Sequence, residues 1–153
     1  MIDDVDRKIL SILQKNARDS NANIARELGL APSAIHERVK KLEQKGIIKG
    51  YHARLDAPKL GFCVTAFVFV RSDDRVGSVA SAKRLGEIDE VEEVHHIAGE
   101  DCYLVKLRVG GNEELGRLLR EKIGAIHSIK STRTSVVLET LKEGANLPVT
   151  ETR

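Results

Sequence analysis

The chain has 153 residues, 41% of them hydrophobic and 31% charged, with a formal net charge of +2. That length holds one large domain or two small ones, and so small a net charge does not by itself announce a nucleic-acid binder. No apolar run approaches the roughly 20 residues of a membrane-spanning helix, the acidic start is unlike a secretory signal, and Cys63 and Cys102 make no disulfide framework. The chain is therefore expected to be cytoplasmic, free of membrane contact, with reduced thiols.

Asp3 and Asp4 can cap a first helix, whose broad apolar face (Val5, Ile9, Leu10, Ile12, Leu13) runs to about Lys15. Asn21 or Asn23 is expected to cap a short second helix, with Ile24, Ala25 and Leu28 inward and Gly29 as its stop. Leu30 and Ala31 make a tight turn. Pro32 then suits the first position of a third helix, because its locked φ and missing N–H cost nothing there. Ile35, Val39 and Leu42 form its inner stripe and Gly46 ends it. Ser33, His36, Glu37, Lys40, Lys41 and Gln44 occupy the opposite surface.

Three helices with a short turn between the last two match a helix-turn-helix. The alternating run Ile48 to Leu55 suits a small two-stranded ribbon, which would make residues 1–55 a winged helix-turn-helix. From Glu37 to Arg54 six cations (Arg38, Lys40, Lys41, Lys45, Lys49, Arg54) stand against two acids, Glu37 and Glu43. Such a helix fits the major groove of double-stranded DNA. Ser33, His36, Glu37 and Lys40 are candidates for base edges or nearby phosphates, and Lys41, Lys45, Lys49 and Arg54 are better candidates for phosphates. Arg38 can instead pair within the domain. The blander possibility is a three-helix bundle with a solvated charged face.

Residues 56–61, punctuated by Pro58 and Gly61, read as a linker. A second domain, 62–142, follows. Cys63 is expected in its core. Val64 to Arg71 reads as a strand apolar on both faces. A helix is expected through Val76, Val79, Ala80, Lys83 and Leu85 to Gly86. Val91 to Ala98 and Tyr103 to Val109 read as strands. Asn112 is expected to cap a helix with Leu115, Leu118, Leu119 and Ile123 inward, and Ile129 to Leu141 reads as a long last strand. The order β-α-β-β-α-β is the ferredoxin-like unit, so the fold class is α+β. Its helices cover one sheet face, and a second copy is the economical cover for the other. Residues 143–153 have little apolar content and are expected to form a loosely held tail.

The loop Gly99, Glu100, Asp101 and Cys102 offers a close backbone approach and carboxylates that can pair with an ammonium group. Thr132 and Thr134 could add hydroxyls. The alternative is an ordinary turn with surface acids. His95, His96 and Cys102 do not suggest a metal site, because adjacent residues on a strand point to opposite faces. No phosphate loop, no Ser/His/Asp order and no metal spacing is present, so an enzyme is not expected and no cofactor is called for.

Several segments together resemble the Lrp/AsnC, or feast/famine, transcription regulators. Asp4-Val5-Asp6-Arg7-Lys8-Ile9-Leu10 is similar to that family's opening D-x-D-x-x-I-L, and Asn16-Ala17-Arg18 to its N-x-R. Arg38-Val39-Lys40-Lys41-Leu42-Glu43, followed by Gly46-Ile47-Ile48 and Gly50-Tyr51, is similar to R-V-x-R-L-E-x-x-G-[VI]-I-x-G-Y. Leu55-Asp56 and Leu60-Gly61 continue the match. The resemblance implies a sequence-specific DNA-binding regulator and a homodimer joined through back-to-back sheets, often assembled into octamers. It also implies an amino-acid effector held near subunit interfaces. Two positions depart from the pattern. Ala31 stands where Ser or Thr usually starts the third helix, and Cys102 stands at the Asp of the loop pattern G-x-x-D, with Asp101 one residue early. The rival reading is an oligomeric small-molecule-binding module whose N-terminal domain serves assembly.

Overall fold

A computed structural model describes residues 2–75, 77–144 and 146–149. The chain divides into two compact units. One comprises residues up to Arg54 together with the chain from Lys142 onward; the other is Leu55–Leu141.

The first unit holds α1 (Asp4–Lys15), α2 (Asn21–Leu28) and α3 (Pro32–Gln44). Asp3 caps α1 by accepting from the Asp6 N–H, and Asp6 returns the bond to the Asp3 N–H in a reciprocal capping box. The cap of α2 is Ser20, whose hydroxyl accepts from the Asn23 N–H; Asn21 and Asn23 lie inside the helix instead. Gly29 ends α2 at φ 67° and Gly46 follows α3 at φ 66°. Both are left-handed conformations that a side chain disfavours. Ala31 precedes α3 with no side-chain cap, as its methyl group requires. Ile9, Leu10, Ile24, Ala25, Ile35 and Leu42 form the buried core, with all three inner stripes contributing.

Two expectations in this unit change. Residues 48–55 contain no strand: the alternation Ile48 to Leu55 lies on an irregular, largely exposed segment with no ladder partner among the described residues. The chain after Glu143 is also not loose as far as it is described. Gln14 clamps Leu147 with two bonds, accepting from its N–H at 2.7 Å and donating to its carbonyl at 3.1 Å. Arg7 donates to the Val149 carbonyl and Arg54 to that of Glu143. Leu147 and Val149 border an apolar cavity of about 240 Å³ with Leu10, Leu13, Ile47 and Tyr51. A short segment with few apolar residues is thus held by side-chain bonds to its backbone, which composition does not register.

The second unit is a four-stranded antiparallel sheet of β1 (Val64–Ser72), β2 (Val91–His96), β3 (Tyr103–Val109) and β4 (Ile129–Val136), in the order β2-β3-β1-β4. Two helices, α4 (Ala80–Gly86) and α5 (Asn112–Leu118), the latter running into a wider turn over Leu119–Ile123, complete the ferredoxin-like α+β fold. Ala66, Val68 and Val70 of β1 and Tyr103, Val105, Leu107 and Val109 of β3 face the helices and are buried with Leu85, Leu115, Leu118 and Ile123. Tyr103 keeps its hydroxyl satisfied there by donating to Asp74 at 3.1 Å.

Several boundaries differ from expectation. β4 stops at Val136, because beyond Val137, which still bonds Thr65, the chain leaves β1, and Leu138 is 99% exposed. β2 stops at His96 and α4 begins at Ala80; Val76, expected in that helix, lies outside the described residues. Asn112 is the first residue of α5 rather than its cap. Cys63 is exposed, since it precedes the strand rather than pointing into the core.

Candidate nucleic-acid interface

α3 presents two kinds of surface. Ile35 and Leu42 are buried and Val39 is half-buried, which fixes the rotation of the helix. Arg38, one step round, is held inside the unit: its guanidinium donates to Asp3 at 2.6 Å and to Asp6 at 2.8 Å. These bonds raise its already high pKa, and the Asp3 carboxyl falls below the usual range through the Asp6 N–H first and Arg38 second. Arg38 thereby ties the acidic start of α1 to the middle of α3, and its charge is committed to that pairing.

The remaining face is open. Ser33, His36, Glu37 and Lys40, at spacings of three and four residues, are all exposed on one side of the helix. Lys41 and Lys45 are exposed on the flank that borders Asp6 and Arg38. Lys40, Lys41, Lys45 and Lys49 have no ion pair among the described residues, and Ser33 and Glu37 have no side-chain partner there. His36 has one: its Nδ1 lies 3.3 Å from the amide nitrogen of Asn21 at the start of α2. Arg54 is committed in part to the Glu143 carbonyl at 2.7 Å.

The segment after α3 is anchored by Tyr51, whose hydroxyl donates to Glu43 at 2.9 Å. Burial first, and the Glu43 carboxylate second, push the Tyr51 phenol up to about 12. Lys49 is therefore carried on a segment pinned at both ends of a short span, by Ile48 against the core and by Tyr51.

The second unit distributes the loop candidates differently. Gly99 and Glu100 are exposed, and Gly99 has φ 139°. Asp101 accepts from Arg133 at 3.0 Å, and that guanidinium also lies 4.0 Å above the Phe69 ring. Cys102 turns back to β1, where its sulfur accepts from the Ser72 N–H at 3.4 Å. Thr132 pairs with Val70 and Thr134 with Val68, so both point to the helix side of the sheet while Arg133, between them, points to the open side. The six candidates are thus not one cluster: Asp101 is joined to Arg133, and the two threonines face away from that pair. Arg133 and Asn21 are partners of candidate residues that the sequence alone did not mark, since each meets its partner only through tertiary packing. His95 and His96 part as alternation requires, His95 to Glu93 at 2.9 Å and His96 to the ring of Tyr103.

A helix-turn-helix with an uncompensated cationic face, joined in one chain to a ferredoxin-like unit, is the make-up of a DNA-binding regulator with a second domain of its own fold. Comparison with known proteins agrees. Residues 2–49 match the family model for winged helix-turn-helix DNA-binding, and residues 65–147 match that for the Lrp/AsnC ligand binding domain. The chain is 37% identical over 149 residues, 97% of both chains, to the HTH-type transcriptional regulator FL11 of Pyrococcus horikoshii. It superposes on the structure of E. coli AsnC with a TM-score of 0.89 at 32% identity, covering 95% of this chain and 98% of that one. A Neisseria meningitidis transcriptional regulator solved as an L-Met complex gives a TM-score of 0.92 at 26% identity, covering 97% of each chain. The chain belongs to the Lrp/AsnC family and is a DNA-binding transcriptional regulator.

Proposed function

We propose that two copies of this chain bind a near-palindromic duplex. Ser33, His36, Glu37 and Lys40 lie against base edges, and Lys41, Lys45, Lys49 and Arg54 lie along the phosphates. The observation that carries this reading is the row of exposed lysines on and just after α3 that no carboxylate of the described residues neutralises. A cation already paired inside the protein gains little from a phosphate; an unpaired one gains fully, by releasing counterions from the duplex. Two recognition helices related by a two-fold axis would reach half-sites about one helical turn apart, or a multiple of it. The test is retardation of a duplex carrying such a site. Lys40→Ala and Lys41→Ala weaken the complex and leave the dimer intact; loss of the dimer instead would refute this division of labour.

The dimer in this reading forms through the open sheet face. Phe67, Phe69 and Leu104 share that face by register and are only half-buried within the unit. A second copy covers them, and dimers assemble further into octamers. The effector is an α-amino acid at the Gly99–Cys102 loop. The Asp101–Arg133 pair supplies one charge of each sign, which suits an ammonium and a carboxylate on the same small molecule. The L-Met complex of the Neisseria regulator supports an amino acid as the class of ligand. Such a ligand changes DNA occupancy only if it binds the competing assemblies unequally. A thermal-shift screen against the twenty amino acids checks this, because a ligand of the native state raises the melting temperature. No shift with any of them would remove the effector from this reading. Catalysis and cofactors play no part in it, and the work is done where the chromosome is, in the cytoplasm.

A further inference from the structure

Among the candidate base-reading residues, His36 alone has a side-chain partner among the described residues of its own unit, and that partner belongs to a different helix. The Nδ1 of His36 lies 3.3 Å from the Asn21 amide nitrogen. An amide nitrogen carries two donor hydrogens and no acceptor lone pair. In this bond Nδ1 must therefore be the acceptor, and the ring proton is left on Nε2. Both residues are positioned by rigid elements. Asn21 is the first residue of α2, directly after the Ser20 cap, and His36 lies beside the fully buried Ile35 on α3. The Ser20 hydroxyl already serves the Asn23 N–H, which frees the Asn21 side chain to reach α3.

We propose that Asn21 is a specificity-determining positioning residue, which locks His36 with Nδ1 as acceptor and so presents Nε2–H outward as a fixed hydrogen-bond donor to a major-groove base acceptor. This rests on the reading of α3 as the base-reading helix. A neutral imidazole can be donor or acceptor at its outer nitrogen, and the two states recognise different bases. With the donor state fixed, the matching base shows an acceptor, of which guanine with N7 and O6 is the foremost case. Asn21 thus shapes sequence preference without touching a base.

Asn21→Asp reverses the device. A carboxylate is acceptor-only, so it draws the ring proton to Nδ1 and leaves Nε2 as an acceptor. The experiment uses the full-length protein, with 15N-labelled histidine, in a buffer about two pH units above the ordinary imidazole value. The His36 resonances are assigned by their loss in His36→Ala. Long-range 1H–15N correlation is expected to show a bare Nδ1 and a protonated Nε2 in the wild type, and the reverse in Asn21→Asp. Selection from a randomised duplex pool is expected to show one position per half-site preferring guanine or thymine, whose polar major-groove atoms only accept, over adenine and cytosine by about fivefold. In Asn21→Asp that position turns to adenine or cytosine, whose exocyclic amines donate, and in His36→Ala the preference disappears. Ratios between bases are read rather than absolute affinity, since the new carboxylate repels phosphates in every sequence.

A protonated Nδ1 in the wild type overturns the tautomer assignment, without any DNA present. An unchanged base preference in Asn21→Asp overturns the link from Asn21 to recognition. A loss in His36→Ala that is uniform across sequences makes His36 a phosphate contact and overturns the proposal as well. If the wild type binds no duplex at all, it is the reading of α3 that has failed, and the NMR result identifies that case.

Discussion

Two surfaces of this protein carry several cations each and compensate them differently. On the open face of the sheet, Lys106 meets Glu92 at 3.1 Å and Glu93 at 3.6 Å, Arg108 meets Glu92 at 2.8 Å, and Arg133 meets Asp101 at 3.0 Å. On α3 and the segment after it, Lys40, Lys41, Lys45 and Lys49 meet no acid among the described residues. A count of charges does not separate the two surfaces, and the net charge of +2 hides both. Compensation separates them. In the reading proposed above, the compensated sheet face meets a second copy without repulsion, and α3 meets a polyanion that supplies the missing charge.

The distinction is most exposed to test at α3. Lys41→Ala combined with Lys45→Ala is expected to lower duplex affinity on the order of a hundredfold near about 0.1 M salt, because every phosphate left without its lysine keeps its condensed counterion. Lys106→Ala, with a charge change of the same sign, is expected to leave the duplex affinity of the intact dimer nearly unchanged. Equal losses from the two surfaces, measured by titration of labelled duplex, would erase the distinction.

A second contrast concerns stability. Glu92→Gln removes a carboxylate shared by Lys106 and Arg108, whose side chains are only 16% and 17% exposed. The expected cost to the second unit is about 1 kcal/mol, discounted because Glu92 itself is 36% exposed and solvent screens it. Denaturant unfolding of the full chain reads this, and duplex affinity should not follow. The equivalent change on α3, Glu37→Gln, removes a carboxylate with no partner among the described residues and is expected to leave stability unchanged.

The two tyrosines, Tyr51 and Tyr103, set the units side by side in another way. One belongs to each unit, and both are raised by burial first and by a carboxylate second, Glu43 and Asp74 respectively. The folded protein is then expected to show less than the full two-tyrosine phenolate step near the ordinary value of about 10, whereas the unfolded chain shows both. Tyr51 titrates at about 12 in the folded chain, against an ordinary value of 10.0. A phenol raised on folding stabilises the protonated, folded form. Its contribution is complete below pH 10 and is lost as pH rises through about 12. A full phenolate step near 10 in the native protein would mean that the Tyr51–Glu43 anchor does not form.

The smallest effect is expected at Ala31. Ala31→Ser supplies the missing cap at the start of α3, where the backbone is already extended at φ −73° and ψ 140°. The expected gain is about 1 kcal/mol at most. A loss of stability there would show that the extended geometry before Pro32 does not accept a capping side chain.

The third helix was almost completely legible in the sequence. Pro32, the stripe Ile35-Val39-Leu42 and Gly46 are local signals, and local signals are what a helix needs. The core strands were equally plain, because a strand facing helices reads as alternating buried valines. The two misread strand segments share one cause. Alternation from Ile48 to Leu55 and β-branched content beyond Val136 are propensities without a partner, and a strand exists only where another pairs with it. Ser20 lost to Asn21 and Asn23 as the expected cap of α2 because both residue types cap helices. At the sites, exposure on α3 was legible from periodicity. The partners of Arg38, His36 and Asp101 were not. Arg38 reaches Asp3, His36 reaches Asn21 and Asp101 reaches Arg133 across 35, 15 and 32 residues of chain, which only the packed fold brings together.

The decisive measurement is the dependence of duplex affinity on salt, taken for the wild type and for the Lys41→Ala, Lys45→Ala variant in parallel. A linear fall of log affinity with log salt is expected in the wild type. In the variant the slope should be shallower by about 0.9 for each phosphate that the bound dimer no longer neutralises. Affinity that is insensitive to salt, or parallel slopes for the two proteins, would contradict the claim that the uncompensated lysines of α3 are what hold the DNA.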